Sequence, residues 1–160
     1  MIIEMRAIRP EDYFDVSRIF FCAVHEGTSH AYSVAERRAW GGDTIDLPRW
    51  KERLITLTGF IAEMDGEPVG FISVNPLGYI DLAFVLPSAA GKGVGGALLE
   101  KAEHLAFTQG ASCLTTAASL AARPFFEKHG WVVLEKEQVE RGGVILRRYQ
   151  MHKHPVKSDH

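Results

Sequence analysis

Gly91-Lys92-Gly93-Val94-Gly95-Gly96-Ala97-Leu98-Leu99 stands between a run of strand-forming residues, Tyr79 to Leu86, and the longest helical pattern in the chain. From Gly93 onward Val94, Leu98, Ala102, Leu105 and Ala106 recur on one face at a period of 3.6, with Glu100, Glu103 and Gln109 elsewhere, until Gly110. Glycines at such a junction let the backbone approach a ligand closely, and the first N–H groups of a helix lack internal partners. Those groups and the helix dipole make an anion site suited to a pyrophosphate, to which Lys92 adds a point charge. On spacing alone, a tight turn packed against a sheet accounts for the same residues.

The upstream sequence reads as an antiparallel meander. Phe60 to Met64 and Val69 to Val74 flank Asp65-Gly66, a pair that readily adopts the positive backbone angles of a hairpin turn. Pro76-Leu77-Gly78 makes the next turn, Tyr79 to Leu86 the third strand, and Pro87 ends it. The glycine run also satisfies G-x-G-x-x-G, but a dinucleotide-binding unit would place it after the first strand of a parallel β-α-β unit, with an acid about 20 residues later. Here it follows a meander, and the next strand, Cys113 to Ala118, has no acid. A Walker A loop needs Lys and then Ser or Thr after its last glycine, where this chain has Ala97.

Toward the N-terminus, Ile2 to Ile8 reads as a first strand, and Pro10-Glu11-Asp12 opens a helix carrying Tyr13, Val16, Phe20 and Val24 at helical spacing up to Gly27. Ser33-Val34-Ala35-Glu36 is a capping-box pattern for a second helix ending at Gly41-Gly42, extended by a turn or two between Pro48 and Leu57. Toward the C-terminus, Leu120 to His129 is a helix with Pro124 near its first turn, capped by Gly130. Trp131 to Val139 and Val144 to Met151 flank Arg141-Gly142-Gly143 as a closing hairpin. The order β-α-α-β-β-β-α-β-α-β-β predicts an α/β (α+β) fold: a mixed, mostly antiparallel twisted sheet flanked by helices. A single domain over 1–152 and a polar tail over 153–160 are expected.

The 160 residues fit one compact domain. Eighteen Lys and Arg against 20 Asp and Glu give a formal charge of -2, so no basic field invites nucleic acid or anionic lipid. With 46% hydrophobic and 24% charged residues, and neither a signal-peptide core nor a membrane-length apolar run, a soluble cytoplasmic protein is expected. Cys22 and Cys113 lie far apart in apolar surroundings, which supports neither a disulfide framework nor a Cys-based zinc site, and neither reads as a covalent nucleophile. His152-Lys153-His154 reads as a frayed, solvated tail in preference to a metal ligand pair, so no metal is expected.

Val85-Leu86-Pro87 followed by Gly91 to Leu99 closely resembles the acyl-CoA signature of the GNAT superfamily of N-acetyltransferases. Ser119-Leu120-Ala121-Ala122-Arg123-Pro124-Phe125-Phe126-Glu127-Lys128-His129-Gly130-Trp131 is similar to that superfamily's second signature, and Tyr32-Ser33, Trp40 and Arg141-Gly142-Gly143 resemble a bacterial branch of it. The element order read above is also the family's. The resemblance implies acetyl-CoA in a V-shaped gap between the strands Tyr79 to Leu86 and Cys113 to Ala118. Backbone groups of Phe84 and Val85 would pair with the pantetheine arm, the amides of Gly91, Lys92, Gly93, Val94, Gly95 and Gly96 would hold the pyrophosphate, and Ser119 and Phe126 would flank the thiol. Ala90 stands where the family usually carries Arg or Gln, and Phe126 where many members carry the tyrosine that protonates the departing thiolate.

A primary amine with a pKa near 10.4 is nucleophilic in only about one molecule in a few thousand at neutral pH, so a proton acceptor is needed. Asp81 shares the parity of Tyr79 and Val85 on the cofactor strand, where superfamily members often place a carboxylate for this purpose; alternatively it is an exposed charge or the partner of an arginine. Tyr32 and Tyr149 are the candidates to replace the missing acid, Tyr32 first because its region borders the acceptor pocket in the family. Trp40, Trp50 and Phe60 are candidates for an apolar acceptor wall or for core. The expected activity is acetyl transfer from acetyl-CoA to a primary amine of a small molecule or protein, by a monomer or homodimer. The alternative is a catalytically silent acyl-CoA-binding sensor or assembly module.

Overall fold

The computed structural model describes residues 2–155. Its frame is a seven-stranded sheet: β1 (Ile3–Ala7), β2 (Gly59–Met64), β3 (Glu67–Val74), β4 (Tyr79–Val85), β5 (Leu114–Ser119), β6 (Val132–Arg141) and β7 (Val144–Lys153), in the spatial order β1-β2-β3-β4-β5-β7-β6. Among the described residues only β4 and β5 run parallel, and that pairing needs a crossover helix. Helix α4 (Val94–Thr108) is the crossover, entered from the glycine run. The hairpin read from Asp65-Gly66 is present, with φ of 54° and 79° at those two residues.

The remaining helices are α1 (Tyr13–His25), α2 (Val34–Gly41), α3 (Leu47–Leu54) and α5 (Arg123–Lys128). The capping box of α2 forms as its sequence predicts, Glu36 N donating to Ser33 Oγ (3.1 Å) and Ser33 N to Glu36 Oε1 (2.8 Å). The expected extension of this helix is instead a separate α3. Gly42, at φ 82°, ends α2, and Asp46 starts a new helix by accepting the Arg49 amide (3.2 Å), with Pro48 in its first turn.

Each sheet face carries its own apolar cluster. Val94, Leu98, Leu99, Ala102 and Ala106 of α4 and Phe126 of α5 pack on Ile72, Ile80, Leu114 and Met151. On the other face Val16, Ile19, Phe20 and Val24 of α1 join Trp50 and Leu54 of α3 over Ile61, Phe71 and Leu82. The C-terminal expectation needs correction. β7 runs on to Lys153, whose Nζ bonds Glu103 Oε1 on α4 (2.6 Å) and the His129 carbonyl (2.8 Å), so His152 sits in the ladder opposite Thr115 and Val132. The expected tail beyond residue 155 lies outside the described residues.

Candidate active site

Sequence parity fails at Asp81. Ser73 pairs with Leu82 and the next residue, Val74, pairs with Ile80, so Asp81 is an extra residue in β4, a β-bulge. Tyr79, Asp81, Leu82 and Phe84 therefore all face one pocket, whereas Ala83 and Val85 turn to the opposite face with Ile80. The parity that placed Asp81 with Val85 is thus corrected, because a bulge shifts the alternation by one residue.

The same bulge opens the sheet. Pairing of β4 with β5 is confined to Tyr79 with Thr115 and Ile80 with Thr116, where Thr116 Oγ1 donates to the Ile80 carbonyl (2.8 Å). Beyond it the two strands diverge. Leu86 N donates to Val69 O (2.7 Å), and by the alternation of an antiparallel ladder Phe84 also turns its backbone to β3 while Ala83 and Val85 turn theirs to the gap. Val85 thus offers backbone groups to the opening. Phe84 offers its ring, which packs edge-on against Phe20 at 4.9 Å.

The glycine run lies at one end of this gap. Gly91 and Gly93 take φ of 77° and 84°, the left-handed region that favours glycine, and Gly93 is the N-cap of α4. No side chain caps this helix, and its first internal bond runs from Ala97 N to Gly93 O (3.1 Å). The amides of Val94, Gly95 and Gly96 therefore precede the intrahelical ladder and can donate to an anion. Val94 contributes an amide only, since its side chain is buried in the core. A Cβ at Gly95 would lie 3.3 Å from the Phe125 ring and 3.8 Å from Val85, so a side chain there would press on that ring.

At the other end is a pocket of about 660 Å³. Its walls include Phe20, Trp40, Trp50 and Phe84, whose rings contact one another at 4.9–6.4 Å, while Asp43, Asp46, Arg49, Arg53, Arg141 and Arg148 bring charge. Phe60, also considered for the wall, packs on the α4 face of the sheet. Asp81 is half-exposed in the pocket and pairs with Arg53 Nη2 at 2.9 Å. Tyr79 lies beside it; burial, and after that the Asp81 charge, pushes its phenol above the usual value.

Tyr32 lines the same pocket, but its hydroxyl is already engaged. It is 5% exposed, and its Oη donates to the Arg147 carbonyl (2.6 Å) and accepts from Leu120 N (2.9 Å). Burial raises its pKa, and the opposing Leu120 hydrogen bond does not cancel this. A phenol with its proton engaged by a carbonyl and its acidity reduced is a poor proton donor; what it does here is tie β7 to the turn after β5. Tyr149 lies on the α4 side of the sheet under the Arg123 guanidinium, 4.5 Å from the ring centroid.

Phe126, expected beside the thiol, is 3% exposed and packs on Trp131 with ring centroids 5.1 Å apart. Its neighbour Phe125 is the half-buried ring against Gly95 and Val85. Consecutive aromatics in a short helix look alike in sequence; only packing shows that Phe126 is core and that Phe125 lies beside the start of α4. Ser119, at the end of β5, lines the pocket and accepts the Ala122 amide on Oγ (3.0 Å), so its own O–H proton is left to donate elsewhere.

A splayed parallel pair with a helix N-terminus at one end and a lined pocket at the other is the geometry of an acyl-CoA transferase, and a family profile of the acetyltransferase (GNAT) domain matches residues 28–153. This chain is a GNAT acetyltransferase. It is 35% identical over 153 residues to the uncharacterized N-acetyltransferase YafP of Escherichia coli (strain K12), covering 96% of this chain and 97% of that one. The crystal structure of a GCN5-related N-acetyltransferase from Rhodopseudomonas palustris has a TM-score of 0.89 at 32% identity, covering 97% and 99% of the two chains. The GNAT fold is shared at 18% identity by PaiA N-acetyltransferase of Thermoplasma acidophilum in complex with coenzyme A, with a TM-score of 0.74 and coverage of 97% and 100%.

Proposed function

We propose that this GNAT acetyltransferase carries the acetyl group of acetyl-CoA directly to the primary amine of a small molecule bound in the aromatic pocket. The observation that carries this reading is the bulge at Asp81: it opens the β4/β5 gap and turns Asp81 into the pocket that meets it. The chain's groups fit the co-substrate along the gap. Amides of Val94, Gly95 and Gly96, with Lys92, face a pyrophosphate; Val85 offers its backbone to an amide-bearing arm; Ser119 and the Phe125 ring lie where the arm would end. PaiA, bound to coenzyme A, and YncA of Salmonella typhimurium, bound to acetyl-CoA, share this fold and are consistent with that use of the gap.

Asp81 attracts the ammonium form of the acceptor and accepts one proton from it, directly or through water, which frees the nitrogen lone pair to bond to the thioester carbonyl carbon; the second N–H proton passes to solvent as the adduct collapses. The C–S bond then breaks and the electron pair leaves on sulfur. A thiol, whose pKa in water is about 8.5, departs far more readily as its anion than an alkoxide or an amide anion does. Ser119 stabilises that thiolate with its free O–H, and solvent supplies the proton. Neither Phe126 nor Tyr32 is then needed as an acid; Tyr32 holds the Ser119-Leu120 turn in place. Arg53 keeps Asp81 aimed into the pocket.

A volume of about 660 Å³ suits a small molecule, and the rings of Phe20, Trp40 and Phe84 suit an acceptor with an apolar portion. The test is release of free thiol from acetyl-CoA against a panel of amines that pairs each apolar amine with a polar one of similar size. Saturable turnover with apolar amines supports the reading; turnover confined to protein or polycationic acceptors overturns it.

A further inference from the structure

Cys113, just before β5, and His152 and His154 at the end of β7 belong to two antiparallel strands joined in the register Leu114 with Lys153 and Thr115 with His152. Continuing that register sets Cys113 opposite His154, with His152 its diagonal neighbour on the same sheet face. The thiol sulfur lies 3.9 Å from His152 Nδ1, and the two imidazole centroids are 5.0 Å apart. One donor atom from each of the three residues falls within 4.8 Å of the others. Cys113 and His152 are half-buried and His154 is exposed, so the site is formed by the sheet yet open to solvent.

We propose that Cys113, His152 and His154 form a binding site for a borderline divalent transition ion such as Zn2+, separate from the acetyl-transfer site. One thiolate and two imidazoles are a donor set that such ions prefer over Mg2+ or Ca2+. A tetrahedral ion with bonds of about 2.3 Å to sulfur and 2.0–2.1 Å to nitrogen holds its donors about 3.3–3.6 Å apart. The Cys113 to His152 spacing exceeds that by a few tenths of an ångström, and His154, exposed at the end of its strand, is free to turn inward. The Cys113 thiol gives its proton to buffer, and the fourth position stays open to water. Cys113 lies four residues along β5 from Ala117 in the pocket wall, about 13 Å at 3.3 Å per residue, so the ion does not touch the reacting atoms. Its effect is to clamp β5 to β7, and by mass action it stabilises the folded chain.

Titration of the full chain with Zn2+ by calorimetry, and with Co2+ by absorption, decides the matter. One ion per chain is expected, with a thiolate-to-cobalt charge-transfer band in the near ultraviolet and a rise in melting temperature on adding Zn2+. Cys113→Ser should abolish the band and weaken Zn2+ binding at least tenfold, His154→Asn should weaken it comparably, and Cys22→Ser should change neither. His154 is exposed, so its variant remains a fair test should Cys113→Ser fold poorly. Survival of the band in Cys113→Ser, its loss in Cys22→Ser, or unchanged Zn2+ affinity in His154→Asn overturns the proposal.

Discussion

At the scale of single residues, the pocket separates groups that act on protons from groups that hold others in place. If Asp81 accepts the acceptor's proton, Asp81→Asn lowers kcat by about two orders of magnitude with acetyl-CoA affinity nearly constant, and the activity returns as pH rises and the free amine becomes abundant. Wild-type rates at neutral pH in that variant would leave Asp81 as the partner of Arg53 alone. If Ser119 stabilises the departing thiolate, Ser119→Ala removes a hydrogen bond to a developing anion, a contact worth about 1.5–3 kcal/mol, and should slow turnover by about tenfold or more. Tyr32→Phe, by contrast, strips partners from the Arg147 carbonyl and the Leu120 amide. It should cost about 1–3 kcal/mol of stability, read by urea unfolding, without altering the shape of the pH–rate profile. Loss of the alkaline limb in that variant would restore Tyr32 as the acid.

At the scale of elements, β4 and α4 shape the gap proposed for the cofactor by two different devices. The bulge in β4 ends its pairing with β5, and the uncapped start of α4 leaves amides facing the opening. Two glycines of the same run should therefore fail in different ways. Gly93 has nothing within 4 Å of an added Cβ, so Gly93→Val adds about 1–2 kcal/mol of left-handed backbone strain yet leaves a folded protein. Its side chain would meet the ligand instead, and calorimetry should show coenzyme A binding at least tenfold weaker. Gly95→Val drives methyl groups into Phe125, so thermal unfolding should show a loss of stability before any effect on binding can be read.

At the scale of the whole molecule, acid stability depends on carboxylates held ionised by hydrogen bonds in the folded chain. Burial alone would raise the Asp12 pKa, but hydrogen bonds from Arg6 (2.9 and 2.8 Å) and from the Arg9 amide (2.7 Å) outweigh it and hold the carboxyl below its usual value. Glu137 behaves alike: burial opposes, and hydrogen bonds from Gln150 and Arg148 prevail. A carboxyl with a depressed folded-state pKa contributes stability that is fully present above its unfolded value, near 4, and is lost as pH falls through the folded one. Melting temperature should thus hold level from pH 7 to about 5 and fall below pH 4. Asp12→Asn should melt lower at pH 7 and show a shallower fall, with the two curves converging in acid. Parallel curves would mean that Asp12 does not contribute to the acid limb.

The sequence by itself determined whatever depends on neighbours a few residues apart. The Asp65-Gly66 turn, the Ser33/Glu36 capping box and the 3.6-residue period of α4 are local requirements, so the order of elements along the chain, the meander and the motifs that carry the family resemblance were legible. Tertiary structure alone decided the rest. The Asp81 bulge arises from pairing with β3, the Tyr32 hydroxyl meets a carbonyl 115 residues away, and Cys113 meets a histidine 39 residues away. Phe125 and Phe126 differ only in which wall each ring reaches. Such contacts depend on how strands register and helices dock, and a one-residue shift in a strand exchanges its two faces, as it does for Asp81 and Val85.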